Sequence, residues 1–517
     1  MNLNDEKTWN LFKEGHTKGI FQLENAGSWS KRVIPQTIEE LSDLVSIIRP
    51  GCTRAILDGK SLTNHYIDRK HKKDEVKYIH ESLVEILEST QGVLVYQEQA
   101  MKIAVKLAGF NLEEADDLRK AIGKKKADLM AKIRVKFIEG CKTTGIVDEN
   151  ISKEVFDWIE KSSRYSFNKS HGISYAINAY ESAWYKANYP KKFFLAYLYY
   201  AKEKQDPHQE IYELVSDAKF FNIEIKLPTI ANFHKKFNIQ GEDIYFGVKD
   251  VKSLTGTTGD KVFTCIREVE EEIDKESGNF SWMDILVYLS PKINKTSFEA
   301  LASIGFFSTK KTGVTRNKVL HEYSIFRILT NAELAWVTKN YSLKRWNSLF
   351  ECFTDLSPIK KEGGGTHNFN RSQVIGSEIQ LLTNPPYDLS DDPNWIIQQE
   401  TRILGCPISL SKIESSDTSS SNTTCKDLSN GKSGKGICVA ANIIKMNDYK
   451  IKKSGNNKGK LMSFLTIEDE SCSVDNVIVF PEARDKYKFL LYEGNNLLLC
   501  GEVSKDKSFI IDKIHEI

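Results

Sequence analysis

The sequence predicts a multidomain α+β chain, largely helical through its first two hundred residues and β-rich in its last eighty. Three observations carry that expectation. Apolar residues over 5–200 recur at three- and four-residue spacing, the period of one helix face. From about 437 onward, apolar and polar residues alternate in the manner of half-buried strands. At 517 residues the chain also exceeds the roughly 250–300 residues at which a single core stops growing.

Taken in order, 41–48 reads as a helix stopped by Arg49-Pro50-Gly51, because proline restricts the residue before it. Helices are predicted over 96–108 and 112–122. Asn111 is placed to cap the second, with Glu113, Glu114, Asp116 and Asp117 near its positive end. Arg119 and Lys120 stand at its far end and Gly123 is expected to cap it. Past 205 the texture changes: Leu227-Pro228 breaks the chain and 244–248 suits a short strand. Thr255-Gly256-Thr257-Thr258-Gly259 reads as a loop ahead of a helix, and 293–307 as a turn, a helix and a glycine stop. Residues 309–350 are again helical and aromatic-rich.

Two stretches, 358–372 and 409–436, are expected to be linkers, because their polar and glycine-rich composition buries too little apolar surface to order itself. Strands are predicted over 439–445, 449–453, 461–467, 474–480, 496–503 and 509–514, with a helix in 481–491. Five or so short strands with one inserted helix fit a small closed barrel of the oligonucleotide-binding type. The expected domains are therefore 1–205, 206–308, a helical and linker region 309–408, a serine-rich linker 409–436, and a barrel 437–517.

Composition is that of an ordinary globular protein, 40% hydrophobic and 27% charged. Its 72 basic and 70 acidic residues nearly cancel to +2, so an anionic partner must be met by local patches. No apolar run reaches the ~18 residues of a membrane span, and MNLNDEKTWN lacks a signal-peptide core. Nine cysteines without a CxxC pair support neither a disulfide framework nor a zinc knuckle. The expectation is a reduced, cytoplasmic chain with no membrane partner.

Three short runs bear chemistry. Arg119, Lys120, Lys124, Lys125 and Lys126 set five cations in eight residues at a helix end. Dipole compensation needs one or two; five would repel one another unless an anion neutralised them, which suggests phosphate, against the plainer reading of a solvated face. Ser166-Phe167-Asn168-Lys169-Ser170-His171 sits at an expected helix start, where free amides and the macrodipole favour anions. Lys169 adds charge, Asn168 an amide, and His171 a planar polar group that shares a helix face with Tyr175. The plainer reading is a serine-capped helix with a core histidine. Tyr96-Gln97-Glu98-Gln99 opens an apolar helix, and by itself it would be read as caps and surface residues.

Two further features suggest DNA. The 293–307 unit, with Lys295, suits a helix–hairpin–helix arm whose backbone amides meet phosphates without reading sequence. The loop with Gly256 and Gly259 would be its partner. In the terminal barrel Lys445, Lys450, Lys452, Lys453, Lys458 and Lys460 crowd the first strands beside Tyr449 and Phe464. This is either a basic, aromatic groove for single strands or a lysine-guarded edge.

Together the runs resemble the C-family of bacterial replicative DNA polymerases, the DNA polymerase III alpha subunits. The likeness runs through Gly19-Ile20-Phe21-Gln22-Leu23-Glu24, Arg49-Pro50-Gly51, Tyr66-Ile67-Asp68-Arg69-Lys70, the Tyr96, Arg119 and Phe167 runs, and Ile403-Leu404-Gly405-Cys406-Pro407-Ile408. It implies a fingers domain over about 10–205, then tandem helix–hairpin–helix units on duplex DNA, then an OB-fold barrel near template single strand. It also implies that Arg119, Lys120, Lys124, Lys125, Asn168, Lys169, His171, Tyr175, Gln97 and Arg49 meet an incoming deoxynucleoside triphosphate, with His171 near the sugar. Lys126, Lys295, Gly256, Gly259, Lys450, Lys452, Lys453 and Lys458 would meet primer-template DNA. A sliding clamp and a single-strand binding protein are further implied partners, although Ser348-Leu349-Phe350 is only a fragment of a clamp-binding pattern.

The departures are informative. Lys120 stands where the family usually has a second arginine, which keeps charge but loses the bidentate fork. Ser166 replaces a usual glycine and Cys52 a usual proline. The family's metal-binding palm, with aspartates spaced by one residue, has no counterpart, for the sequence contains no Asp-x-Asp. Two-metal phosphoryl transfer needs such carboxylates, so no catalytic or metal-ligating residue is assigned here. The expectation is the C-terminal portion of a split or truncated polymerase, inactive alone, whose Mg²⁺ is held by a palm-bearing partner. The alternative is a non-catalytic DNA-binding or regulatory remnant.

Overall fold

The computed structural model describes residues 1–517 apart from 125–126, 163, 275–280, 345, 357–368, 452–456 and 505–507, and apart from the side chains of 123, 124, 127, 273, 274, 344, 369 and 370. Lys125, Lys126, Lys452, Lys453 and the side chain of Lys124 therefore lie outside the described residues, as does most of the expected linker at 358–372. The chain divides into two units, Met1–Phe193 and Phe194–Ile517.

The first unit is helical. It contains α1 (Glu6–Glu14), α2 (Gly27–Val33), α3 (Ile38–Ile47), α4 (Pro50–Arg54), a hairpin of β1 (Ile56–Leu57) and β2 (Lys60–Ser61), α5 (Leu62–Lys70) and α6 (Val84–Leu87). There follow α7 (Gln97–Ala108), α8 (Leu112–Lys124), α9 (Ala127–Thr144), α10 (Glu149–Ser162) and α11 (Lys169–Asn188), with α12 (Pro190–Tyr200) running across the boundary. Asn111 caps α8 as expected: its Oδ1 accepts Glu114 N–H at 2.9 Å while Glu114 returns to Asn111 N–H at 2.9 Å. Leu94, Ala100, Ile103, Leu107, Leu118, Ile122, Phe137, Phe156 and Ile159 form one core among α7–α10. Short connections and this shared stripe make α7 and α8 antiparallel neighbours.

One expectation holds and one is corrected. The helix α3 stops at Ile47, ahead of Arg49-Pro50-Gly51, with Arg49 extended before the proline, and Pro50 then opens α4 at its first turn, where its missing N–H costs nothing. Gly123 does not cap α8, which continues to Lys124.

The second unit begins with α13 (Pro207–Phe220) and a small sheet of β3 (Ile225–Lys226), β4 (Asn238–Gln240) and β5 (Asp243–Tyr245) in the order β3-β5-β4. The strand expected over 244–248 thus stops at Tyr245, and Val248–Asp250 is a 3-10 turn. Helices α14 (Gly256–Asp274), α15 (Trp282–Asp284), α16 (Lys295–Ser303), α17 (Arg316–Phe326), α18 (Asn331–Lys344), α19 (Leu349–Leu356), α20 (Phe369–Thr383) and α21 (Pro393–Leu404) follow. Residues 369–372 belong to α20 rather than to a linker.

Arg316 and Glu400 pin this helical region internally. The guanidinium donates to Glu400 at 2.8 Å, to Ser409 Oγ at 2.7 Å and to Ser303 O at 3.0 Å, and both side chains are buried. The same carboxylate accepts the N–H groups of Ile408 at 2.6 Å and Ser409 at 2.9 Å. That explains the fixed turn after α21.

The chain ends in α22 (Cys425–Ser429), β6 (Gly434–Lys450), β7 (Leu461–Glu468), β8 (Ser473–Val479), α23 (Pro481–Lys486), β9 (Asn496–Val503) and β10 (Phe509–Glu516). The five strands close a barrel in the order β10-β8-β7-β6-β9 around Val439, Ala441, Ile443, Leu465, Ile467, Val477, Val479, Leu497, Leu499 and Ile511. Among the described residues of the barrel, only β8 and β10 pair in parallel. Gly501 is required where β9 meets β10, because a Cβ there would lie 1.8 Å from Ile510 O.

The expected strands 439–445 and 449–453 merge into the single β6, in which a register shift between Ile443 and Lys445 breaks the alternation that sequence reading follows. The expected linker 409–436 is likewise corrected. Asn422 exchanges hydrogen bonds with Cys438 at 3.0 and 2.9 Å, Cys425 N–H donates to Asp469 at 2.6 Å, and Cys425 enters the barrel core. Polar side chains bonded to backbone order this stretch where apolar burial alone would not. The wholly reduced chain is also corrected: Cys438 and Cys500 lie opposite each other on β6 and β9, 4.1 Å between Cα atoms, and form a disulfide.

Candidate nucleotide-binding site

Tyr96 precedes α7 and pairs with Phe167 in an isolated parallel bridge. Phe167 N–H donates to Val95 O at 2.9 Å and Gln97 N–H to Phe167 O at 2.9 Å. Two runs seventy residues apart in sequence are thereby sewn together by backbone. Gln99 fastens the entry to α7, its Oε1 accepting the N–H groups of Val95 at 3.0 Å and Tyr96 at 2.9 Å.

Asn168 caps α11 by accepting His171 N–H at 2.8 Å. Glu98 approaches the same helix end, accepting Asn168 Nδ2 at 2.8 Å and Lys169 N–H at 2.9 Å. The sequence reading of free amides awaiting an anion is corrected in part: a carboxylate of the protein already sits there. Gly172 lets α11 approach α3, for a Cβ would lie 2.6 Å from Ser42 Oγ.

Planar groups run along this face. The Arg49 guanidinium lies 3.9 Å over the Phe167 ring and donates to Ser46 O at 3.0 Å and Tyr165 O at 2.8 Å. Burial draws its pKa below the usual arginine value. Phe167 meets His171 edge-on at 5.4 Å, His171 meets Tyr175 at 4.0 Å, and Tyr175 meets Phe21 at 5.2 Å. His171 is exposed, so the core-histidine reading does not apply. The ammonium of Lys169 lies 5.7 Å from the Tyr96 ring centroid. Arg49, Gln97, Asn168, Lys169, His171 and Tyr175 are therefore brought to one place.

Arg119 and Lys120 stand at the same end of the α7–α10 bundle. Thr144 Oγ1 donates to Leu107 O at 2.6 Å and Lys136 pairs with Glu114 at 2.6 Å, so the end of α7, the start of α8 and the end of α9 meet. The opposite end holds the start of α7, the end of α8 and the start of α9. Both cations are neutralised without an external anion: Asp116 takes Arg119 at 2.8 Å and Lys120 at 3.1 Å, and Asp117 takes Lys120 at 3.1 Å. One-turn spacing explains this, and exposed pairs of this kind are weak enough to exchange for a polyphosphate.

Sequence reasoning missed Asp43. It lies in α3, 4% exposed, and accepts Tyr96 OH at 2.6 Å and Tyr66 OH at 2.9 Å. Burial pushes its pKa up to about 6. The only sequence signal is one acid among Leu41, Leu44, Val45 and Ile47.

Apart from Lys126, which belongs to the first unit and lies outside the described residues, the residues expected to meet DNA lie in the second unit. Gly256 and Gly259 fall inside the first turn of α14 rather than ahead of it, and a Cβ at Gly259 would stand 1.8 Å from Leu254 O. Lys295 opens α16 and lies 3.7 Å from Glu299. Lys450 ends β6, Lys458 sits in the following turn, and both are exposed. Tyr449 and Phe464 meet edge-on at 6.5 Å on the outer face. Among the described residues no group of three or more His, Cys, Asp or Glu is placed to hold a metal ion, and no helix is long and apolar enough to cross a membrane.

Comparison with known proteins adds to this geometry. Residues 1–145 match the bacterial DNA polymerase III alpha subunit finger domain. Over 98% of its length the chain is 35% identical to the DNA polymerase III subunit alpha of Aquifex aeolicus, covering 38% of that protein. The subunit of Borreliella burgdorferi is 30% identical over 99% of this chain and 41% of its own, and that of Thermus aquaticus 27% identical over 97% and 38%. The chain thus spans about two fifths of the length of these curated relatives.

Proposed function

This chain belongs to the DNA polymerase III alpha-subunit family, and from that premise we propose that it grips an incoming deoxynucleoside triphosphate and tracks primer-template DNA. The metal-binding aspartates of bond formation would be carried by a palm-bearing chain. One observation carries the reading: the Tyr96–Phe167 backbone bridge gathers Arg49, Gln97, Asn168, Lys169, His171 and Tyr175 at the bundle end that also holds Arg119 and Lys120.

In this reading Arg119, Lys120, Lys124, Lys125 and Lys169 meet the triphosphate. His171 and Tyr175 present planar faces to sugar and base. Arg49 acts from behind by holding Phe167. The triphosphate would take Arg119 and Lys120 from Asp116 and Asp117, and displace Glu98 from the start of α11.

The DNA-facing half has its own support. A five-stranded closed barrel with the helix α23 between its third and fourth strands suits an OB fold. Exposed Tyr449 and Phe464 beside Lys450 and Lys458 suit single-strand stacking. The α16 unit, with its cap at Asn294 and the turn at Gly305, suits a helix–hairpin–helix arm on phosphates.

The donor set among the described residues does not fit a two-metal centre, so Mg²⁺ is assigned to the partner and no bond-making step to this chain. Primer extension tests the division of labour. The chain alone should be inactive and gain activity with a palm-bearing chain; extension by the chain alone would overturn the reading. In the reconstituted pair Arg119→Ala or Lys169→Ala should raise KM or lower kcat, and unchanged kinetics would remove their assigned role. Failure of every palm-bearing chain to restore extension, with DNA binding intact, would favour the non-catalytic remnant.

A further inference from the structure

The buried carboxylate of Asp43 has a path to the proposed nucleotide site. Asp43 Oδ1 accepts the Tyr96 hydroxyl at 2.6 Å, and the ring of Tyr96 lies under the Lys169 ammonium at 5.7 Å. Tyr96 has little freedom to move. Its backbone N–H is held by Gln99, its backbone bridges to Phe167, and its hydroxyl also meets Ser42 Oγ at 2.9 Å. A phenol that donates to a carboxylate carries more electron density on its ring, which strengthens its hold on a cation at its face.

We propose that Asp43 is a positioning residue for Lys169, acting through Tyr96 to hold the ammonium at the start of α11. This deepens the nucleotide-site reading and rests on it for its purpose. The groups that face Asp43 are Tyr96 before α7, Tyr66 from α5, Lys169 from α11 and Glu40 one turn earlier on α3. Lys169 is the cation among them, and its attraction favours the charged carboxylate against the burial that disfavours it.

The plainer account is that two phenols and a carboxylate merely fasten α3, α5 and the entry to α7. The geometry separates the two accounts, because Asp43 has two branches. Tyr66 OH, at 2.9 Å from Oδ2, can only fasten, whereas Tyr96 leads on to Lys169. A fastening role predicts equal consequences from both branches.

The test is trace acetylation of the full chain with acetic anhydride, Lys169 being read by mass spectrometry against the exposed Lys13 as internal standard. Asp43→Asn should raise Lys169 labelling by about threefold at fixed pH, since removing the carboxylate charge releases the ammonium. Tyr96→Phe, which keeps the ring, should change it in the same direction. Tyr66→Phe should leave it unchanged, and melting curves of all three report folding separately. Unchanged labelling in both Asp43→Asn and Tyr96→Phe, or an equal change in Tyr66→Phe, would overturn the proposal. Calorimetric titration of the wild-type chain with inorganic tripolyphosphate tests the site itself: absence of binding would count against the nucleotide reading, while the labelling result bears on the positioning of Lys169.

Discussion

The carboxylate of Glu98 accepts the backbone N–H of Lys169 at 2.9 Å, so a negative charge from α7 occupies the positive end of α11 before any ligand arrives. A phosphate seeking those amides must compete with it. The same contact ties the Tyr96 run to the Phe167 run, so Glu98 both builds the site and partly blocks it.

Glu98→Gln should separate these roles. The amide oxygen still accepts a hydrogen bond, but the competing charge is gone. Tripolyphosphate affinity should rise about two- to fivefold at low salt, the scale of a charge–dipole contact. Calorimetry at two salt concentrations checks it, and weaker binding would mean that Glu98 orders the site more than it obstructs it.

Gly172 is where α3 and α11 approach. An alanine Cβ would fall 2.6 Å from Ser42 Oγ, whose partner is Tyr96 OH. Gly172→Ala should cost about 1–3 kcal/mol by overpacking. Adding Ser42→Ala should recover part of that loss in urea unfolding, because it removes the atom in the way.

How much of this was legible in sequence follows the range of each interaction. The helix start in the Phe167 run, the helix after Tyr96 and the Asn111 cap depend on neighbours within four residues, and they stand where the sequence puts them, although Asn168 rather than a serine caps α11. The pairing of Arg119 and Lys120 with Asp116 and Asp117 is equally local, since an acid stands one turn before each cation. Asp43 was not legible, because its partners Tyr66 and Tyr96 lie 23 and 53 residues away. The unity of β6 was hidden by its register shift, and the order of 409–436 by hydrogen bonds to strands that follow it.

The titration of Asp43 gives a pH test. Burial raises its folded-state pKa from the ordinary 3.8 to about 6. The native state therefore holds the proton up to about pH 6, where the unfolded chain has already lost it, and carries the carboxylate charge above that. Its contribution is fully present below the unfolded value and is lost as pH rises through about 6. Two units correspond to about 3 kcal/mol at most. Asp43→Asn cannot titrate, so its stability relative to wild type should climb between pH 4 and 7. Urea unfolding across that range checks the sign, and a flat difference would mean that Asp43 is not raised.

In the second unit, Arg316→Met would strand the buried Glu400 carboxylate with only the Ile408 and Ser409 groups for company. A loss of about 3–5 kcal/mol is expected, the scale for removing one partner of a buried pair. The double variant Arg316→Met/Glu400→Leu removes the charge as well as its partner and should regain much of it. Comparable losses in single and double variants would show that packing around Arg316, rather than charge, dominates.

The disulfide makes the last prediction. Cys438 and Cys500 are directly opposite in the β6–β9 register, 62 residues apart in sequence, while Cys52, Cys141, Cys265, Cys352, Cys406, Cys425 and Cys472 are free thiols. Closing a loop of that length stabilises a fold by about 2–4 kcal/mol, mainly by restricting the unfolded chain. Thiol titration of the unfolded, unreduced chain should therefore find seven groups, and nine after reduction. Reduction should lower the midpoint of barrel unfolding, and Cys438→Ser should reproduce that decrease without reductant. Nine thiols at the outset would mean that the two sulfurs are neighbours without a bond, and then neither reduction nor the serine should move the midpoint by this mechanism.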